Sequence, residues 1–190
     1  MAENSNIIIR NVKKSDAEQY VRLNAKVWRS AYSHFMPEEI FNKVEGDIDS
    51  RIKTISESLG QENIETNGRL CLVAIDDNKV IAYAFATAPC GYANYKEQGY
   101  FALHGISVDP EYQGHGLGKK LFHMIASEFL KHGWSKMVNG VLKENNNARQ
   151  FYEKMGGELD TFEQPFEKLG YSFPEVYYTY DLEKLLSKNL

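Results

Sequence analysis

Cysteine is nearly absent: the 190 residues carry two, Cys71 and Cys90. Two thiols make no disulfide framework, and neither has metal-ligating company at usable spacing, so no metal site is expected. Long apolar runs are missing as well. No stretch approaches the roughly 18 apolar residues a membrane span needs. The opening MAENSNIIIR, with an early acidic residue, does not read as a signal peptide. Nor is there a basic excess. Lys and Arg number 22 against 26 Asp and Glu, for a net charge of −4, which argues against nucleic acid, whose readers cluster positive charge. A mildly acidic surface suits a cationic amine better, although an ordinary globular protein would carry the same charge. Repeats and low-complexity tracts are also lacking. These absences leave a reduced, cytoplasmic protein as the expectation, with 1–190 forming a single domain around one core.

Periodicity supplies the elements. Ile7 to Val12 reads as a strand of β-branched residues. Ser15 and Glu18 form a capping box for a helix that turns Tyr20, Leu23, Val27 and Ala31 inward. Pro37 opens a second helix. A third runs from about Asp47 to Leu59 and stops at Gly60, after which QENIETNG reads as a polar loop. Leu70–Ile75 and Lys79–Ala88 flank Asp76-Asp77-Asn78 as a hairpin. Tyr100–Val108 is a strand entering a glycine turn, and a helix follows from about Gly116 to His132. Strand Ser135–Leu142, helix Asn146–Met155 and strands near 158–163 and 175–181 complete a mixed α/β order.

The glycine turn, VDPEYQGHGLG over Val108–Gly118, is the most informative stretch. Glycine removes the Cβ that keeps a ligand off the backbone. The first N–H groups of a helix lack internal partners and sit at the positive end of its dipole. Together they suit a phosphate. The spacing excludes two common phosphate loops. A Walker A loop fails because Lys119 is followed by Lys120 and Gln113 stands where the first glycine should be. A dinucleotide fingerprint fails because Lys119 stands where the third glycine should be.

The segment does satisfy Q-x-x-G-x-G from Gln113 to Gly118. Further on, NNNARQFYEKMGG matches N-x-x-A-x-x-[FY]-Y-x-x-x-G at Asn145, Ala148, Phe151, Tyr152 and Gly156. In this order and spacing the two blocks resemble the signature of the GCN5-related N-acetyltransferase family, over about residues 6–182. VWRSAY, Val27–Tyr32, resembles the first-helix region of many bacterial members. The resemblance implies the acyl-CoA N-acyltransferase fold, a central mixed and mostly antiparallel sheet flanked by helices. It implies acetyl-CoA as cofactor and direct transfer of its acetyl group to a primary amine of a small molecule, polyamine or peptide. A non-catalytic acyl-CoA-binding sensor is the alternative.

By the same resemblance, backbone groups of Gln113, Gly114, His115, Gly116, Leu117, Gly118 and Lys119 hold the pyrophosphate, and those of Ile106, Ser107 and Val108 hold the pantetheine arm. The Ile106 N–H faces the thioester oxygen, a type of donor worth about 10²–10³ in rate. Asn145 bonds the pantetheine amide, Ala148 and Phe151 wall it, and Tyr152 is the general acid. Capping of the following helix competes for the three asparagines, and Asn146 is the expected cap. The strand YFALHGISV contains no carboxylate, which leaves His104, with a reference pKa of about 6.5, as the base. Glu111 and Glu144 are more distant alternatives. Trp28 and Tyr32 are assigned to the acceptor, with Tyr92, Tyr95, Tyr171 and Tyr177 as further aromatic candidates. Pairing into a homodimer through C-terminal strands is left open.

Overall fold

Apolar β-branched runs and left-handed turns build one seven-stranded sheet, in the order β1-β2-β3-β4-β5-β7-β6. The structure, a computed structural model, describes residues 7–187; the leading MAENSN discussed above lies outside them. The strands are β1 (Ile8–Asn11), β2 (Arg69–Asp76), β3 (Lys79–Thr87), β4 (Tyr100–Val108), β5 (Lys136–Leu142), β6 (Glu158–Lys168) and β7 (Tyr171–Asp181). The helices are α1 (Ala17–Tyr32), α2 (Glu38–Gly46), α3 (Ile48–Ser58), α4 (Ile64–Asn67), α5 (Leu117–Lys131), α6 (Asn146–Lys154) and α7 (Leu182–Ser187). Pairing is antiparallel for β1 with β2, β5 with β7 and β6 with β7, and parallel for β4 with β5. This is the mixed, mostly antiparallel sheet the sequence predicts. Among the described residues no helix is long and apolar enough to cross a membrane.

The chain gathers into two compact units. The first holds the chain up to Glu62, Leu70–Phe85 and Ile106–Phe122; the second holds Asn63–Arg69, Ala86–Gly105 and the chain from His123. In the first, Val12, Leu23, Leu59, Cys71, Val73 and Val80 form a buried cluster, with Tyr20, Val27 and Ile55 packed against it. In the second, Cys90, Tyr95, Ala102, Val138 and Tyr177 form another. Phe101 stacks on Phe129 at 4.1 Å between centroids, joining β4 to α5 there.

Four local expectations are corrected. The turn leading into α1, a 3-10 turn over Lys14–Asp16, is braced by Asp16 rather than by Ser15 with Glu18. Asp16 Oδ2 accepts from the Lys13 N–H at 2.7 Å, and both its oxygens take the fork of Arg10. Glu18 instead pairs with Arg22 one turn on. The polar loop after Gly60 contains a helical turn, α4, because Asn63 Oδ1 caps the Thr66 N–H at 2.9 Å and Gly68 ends the turn at φ +66°. The late strands are longer than expected. Leu169 and Gly170 both take positive φ and close a tight hairpin that pairs Lys168 with Tyr171. Finally α7 follows β7, started by Asp181 accepting from the Lys184 N–H.

Candidate active site

In the first unit, β4 ends at Val108 and the chain makes a short 3-10 turn, Pro110–Tyr112, before the glycines. Asp109 organises this turn. Its side chain is 2% exposed, accepts from the Glu111 N–H, and pairs with Lys26 at 2.7 Å and Lys79 at 3.4 Å. Burial works against its ionised form, but the Lys26 hydrogen bond, the Glu111 N–H and the two ammonium charges outweigh it and hold the carboxyl below its usual range. Gln113 closes this turn: its side-chain amide donates to the Val108 carbonyl at 3.1 Å and its backbone N–H donates to the Pro110 carbonyl.

Gly114 and Gly116 have φ of +80° and +78°, and a Cβ at either would meet nothing within 4 Å. The side of each glycine that a Cβ would occupy is therefore open space. His115 is exposed between them, Leu117 is 7% exposed and pins the start of α5, and Gly118 with exposed Lys119 and Lys120 completes its first turn. No acidic side chain stands there to oppose an anion. On β4, Ile106 and Val108 are half-buried, and the Ser107 hydroxyl is engaged with buried Tyr83. Only backbone at Ser107 is left for a ligand. Trp28 and Tyr32 meet edge to face at 5.0 Å on the last turns of α1, both half-buried.

In the second unit, parallel pairing of β4 with β5 runs from Tyr100/Lys136 to Ala102/Val138. Asn145 caps α6: its Oδ1 accepts from the Ala148 N–H at 3.1 Å, and the side chain is buried. The expected cap, Asn146, is exposed instead, because the residue three before Ala148 is the one whose oxygen reaches its N–H. Ala148 and Phe151 are half-buried. Tyr152 is 5% exposed and packs against Phe151 and Tyr178.

His104 stands apart from Tyr152, on the other face of the sheet. Its Nε2 lies 2.8 Å from Thr87 Oγ1, and its ring is 5.9 Å from that of Tyr92. His104 is exposed by surface area, yet protein atoms packed around the ring and the positive charge of Arg69 push its pKa below the usual value. Glu111, the first alternative base, is spent on the surface with Lys26 and Lys79. Glu144 is half-buried with Oε2 fully enclosed.

Two of the aromatic candidates prove to be core. Tyr95 is 1% exposed and Tyr177 0%, whereas Tyr171 is exposed and Tyr92 half-buried. Two polar residues went unnoticed in the sequence. Glu175 Oε2 accepts from the Tyr177 hydroxyl and from Gln164 Nε2, and its Oε1 lies over Gly140. The signal was there in retrospect: Glu175 and Tyr177 are two apart on a strand, hence on one face, and Tyr177 pairs with a glycine that leaves room.

Comparison with known proteins now places the chain. Residues 28–157 match the acetyltransferase (GNAT) family, and the chain belongs to that family, whose donor is acetyl-CoA. The thialysine N-epsilon-acetyltransferase of Bos taurus is 33% identical over 67 residues; the match spans 35% of this chain and 39% of that enzyme. Among solved structures, the PaiA N-acetyltransferase of Thermoplasma acidophilum in complex with coenzyme A superposes with a TM-score of 0.70 at 19% identity, covering 92% of this chain and 99% of that one. YncA of Salmonella typhimurium, solved with its cofactor acetyl-CoA, gives 0.65 at 20% identity over 94% and 95%. At these identities the two structures establish the fold.

Proposed function

We propose that the chain is an acetyl-CoA-dependent N-acetyltransferase that moves an acetyl group to a primary amine of a small molecule, polyamine or peptide by direct attack. The observation that carries this reading is the open glycine face before α5, with both glycines left-handed and no Cβ or acidic side chain to keep a pyrophosphate away. Acetyl-CoA supplies the activated acetyl thioester. The chain's residues divide the remaining work. Backbone N–H groups from Gly114 to Lys119 bind the pyrophosphate, while Gln113, whose own N–H goes to the Pro110 carbonyl, closes the turn that leads to them, and the backbone of Ile106, Ser107 and Val108 orients the pantetheine arm. Asn145 has its oxygen committed to the cap, so its Nδ2 is the donor to a pantetheine carbonyl. Ala148 and Phe151 supply an apolar wall, and Trp28 and Tyr32 contact the acceptor.

Two side chains move protons. Tyr152, as a phenol with a reference pKa of about 10, stays protonated at neutral pH and donates to the departing thiolate. His104 is held in its neutral form at neutral pH, which is the form a base needs. Its Nε2 shares a hydrogen bond with Thr87 Oγ1 at 2.8 Å, which orients the ring. The test is release of CoA thiol from acetyl-CoA across a panel of amines. Amine-dependent release supports the reading. Tight CoA binding with no release for any amine would make the chain an acyl-CoA-binding sensor instead.

A further inference from the structure

Within the second unit, one face of the sheet collects polar groups that acetyl transfer as described does not use. By the pleat, Ala102 and Val138 share this face with Tyr177, and His104 and Gly140 follow two residues on. Tyr92 covers them, 5.9 Å from the His104 ring and 5.1 Å from the Tyr177 ring. Glu175 lies against Gly140, where an added Cβ would come within 2.7 Å of its Oε1. Two donors, the Tyr177 hydroxyl and Gln164 Nε2, hold its Oε2, and Gln164 sits directly opposite it in the strand register. The carboxylate is half-buried and oriented, yet among the described residues no Lys, Arg or His lies within ion-pair distance of it. Lys143, close by in the fold, is committed to Glu163 at 2.8 Å. A carboxylate this enclosed and aimed is a costly feature unless a cation meets it.

We propose that Glu175 is the anchor for a second, protonated amino group on the acceptor, so that the substrate is an alkyl diamine or longer polyamine. The inference rests on the N-acetyltransferase reading and names its substrate class. The chemistry assigns the two ends of the acceptor. A carboxylate favours the charged form of any amine it holds, so the nitrogen at Glu175 stays protonated and does not attack. The other nitrogen, as the free amine, is the nucleophile: its N–C bond forms at the acetyl carbonyl, its proton passes to His104, the C–S bond to CoA breaks, and the departing thiolate takes a proton from Tyr152. The Tyr92 ring, lying between these two groups in the packing order, offers its face to the alkylammonium chain.

The experiment compares two acceptors of equal length, 1,5-diaminopentane and 1-aminopentane, by thiol release. Wild type is expected to show kcat/KM about tenfold or more higher for the diamine, as one charge-assisted hydrogen bond implies. Glu175→Gln should bring that ratio below about threefold, with folding verified by circular dichroism and melting. Gly140→Ala, which displaces the carboxylate without removing its charge, should lower the ratio in the same direction. A wild-type ratio near one, or a ratio retained in folded Glu175→Gln, overturns the proposal. If neither amine releases thiol, the catalytic reading fails by itself. Calorimetry of 1,5-diaminopentane against the CoA-loaded protein then decides the anchor. Binding weakened about tenfold or more by Glu175→Gln supports it, and equal or no binding to the two proteins overturns it.

Discussion

Residue by residue, what matters is which atom of a side chain is already committed. Asn145 illustrates this. The motif selects it, but only the structure shows that its oxygen caps α6, and this is why the proposed contact to the pantetheine arm goes through the amide nitrogen. Asn145→Ala should therefore lower stability by about 1 kcal/mol through the lost cap and also raise the KM for acetyl-CoA, a pairing that denaturant melts and saturation kinetics can measure together. For Tyr152→Phe the expected loss is about 10²-fold or more in kcat, with acetyl-CoA affinity within a few-fold; unchanged turnover would remove the phenol from the mechanism. His104 carries a pH signature. Its folded pKa is lowered, so it stays neutral and basic on either side of neutrality, and turnover should fall only as pH drops below its ordinary value of about 6.5 toward the lowered one. The folded state resists protonation that the unfolded chain accepts, so stability falls over the same window. His104→Gln should flatten both limbs, in rate profiles and in melts recorded against pH.

At the scale of elements, the turn before α5 depends on an ion pair that lies outside the glycine motif. Asp109 joins α1 through Lys26, β3 through Lys79 and the 3-10 turn through Glu111. Removing it leaves two lysines facing an empty acceptor and a turn without its cap. Asp109→Ala should cost about 2–4 kcal/mol and weaken acetyl-CoA binding, although no Asp109 atom is assigned to the ligand. Its own contribution is present above the ordinary carboxylate pKa and is lost as pH falls through the lowered one. Gly116→Ala probes the loop itself. A left-handed alanine costs about 1–2 kcal/mol, and the added methyl stands on the open face, so the KM for acetyl-CoA should rise with it. Periodicity located most of these elements within a residue or two; β4 runs over Tyr100–Val108 as expected. It failed where a side chain reaches back to brace the turn before a helix, as Asp16 does before α1, and where β6 and β7 extend past the point at which alternation is readable. Their outer halves are strands because each pairs with the other, from Glu163/Val176 to Lys168/Tyr171.

For the molecule as a whole, ligand binding and stability are linked. Acetyl-CoA at about a hundred times its Kd should add about 2.7 kcal/mol, raising the melting midpoint by several degrees, whereas ATP, which matches neither excluded phosphate loop, should move it far less. The donor was legible without coordinates, because the proposed phosphate recognition uses backbone, and glycine spacing at a helix start is written directly in the sequence. The fold followed from the same two blocks and from strand and helix periods. The proposed acceptor anchor was legible only in part. Tyr177 stands among the aromatic candidates and Glu175 is two residues from it on β7, but Gln164 on β6 and Gly140 on β5 are tied to them by no short-range pattern. Short-range patterns record what a residue does to its own backbone. The charge environment of Glu175, and the crowding that keeps His104 neutral, are set by residues far away in the chain, and only the folded sheet brings them together.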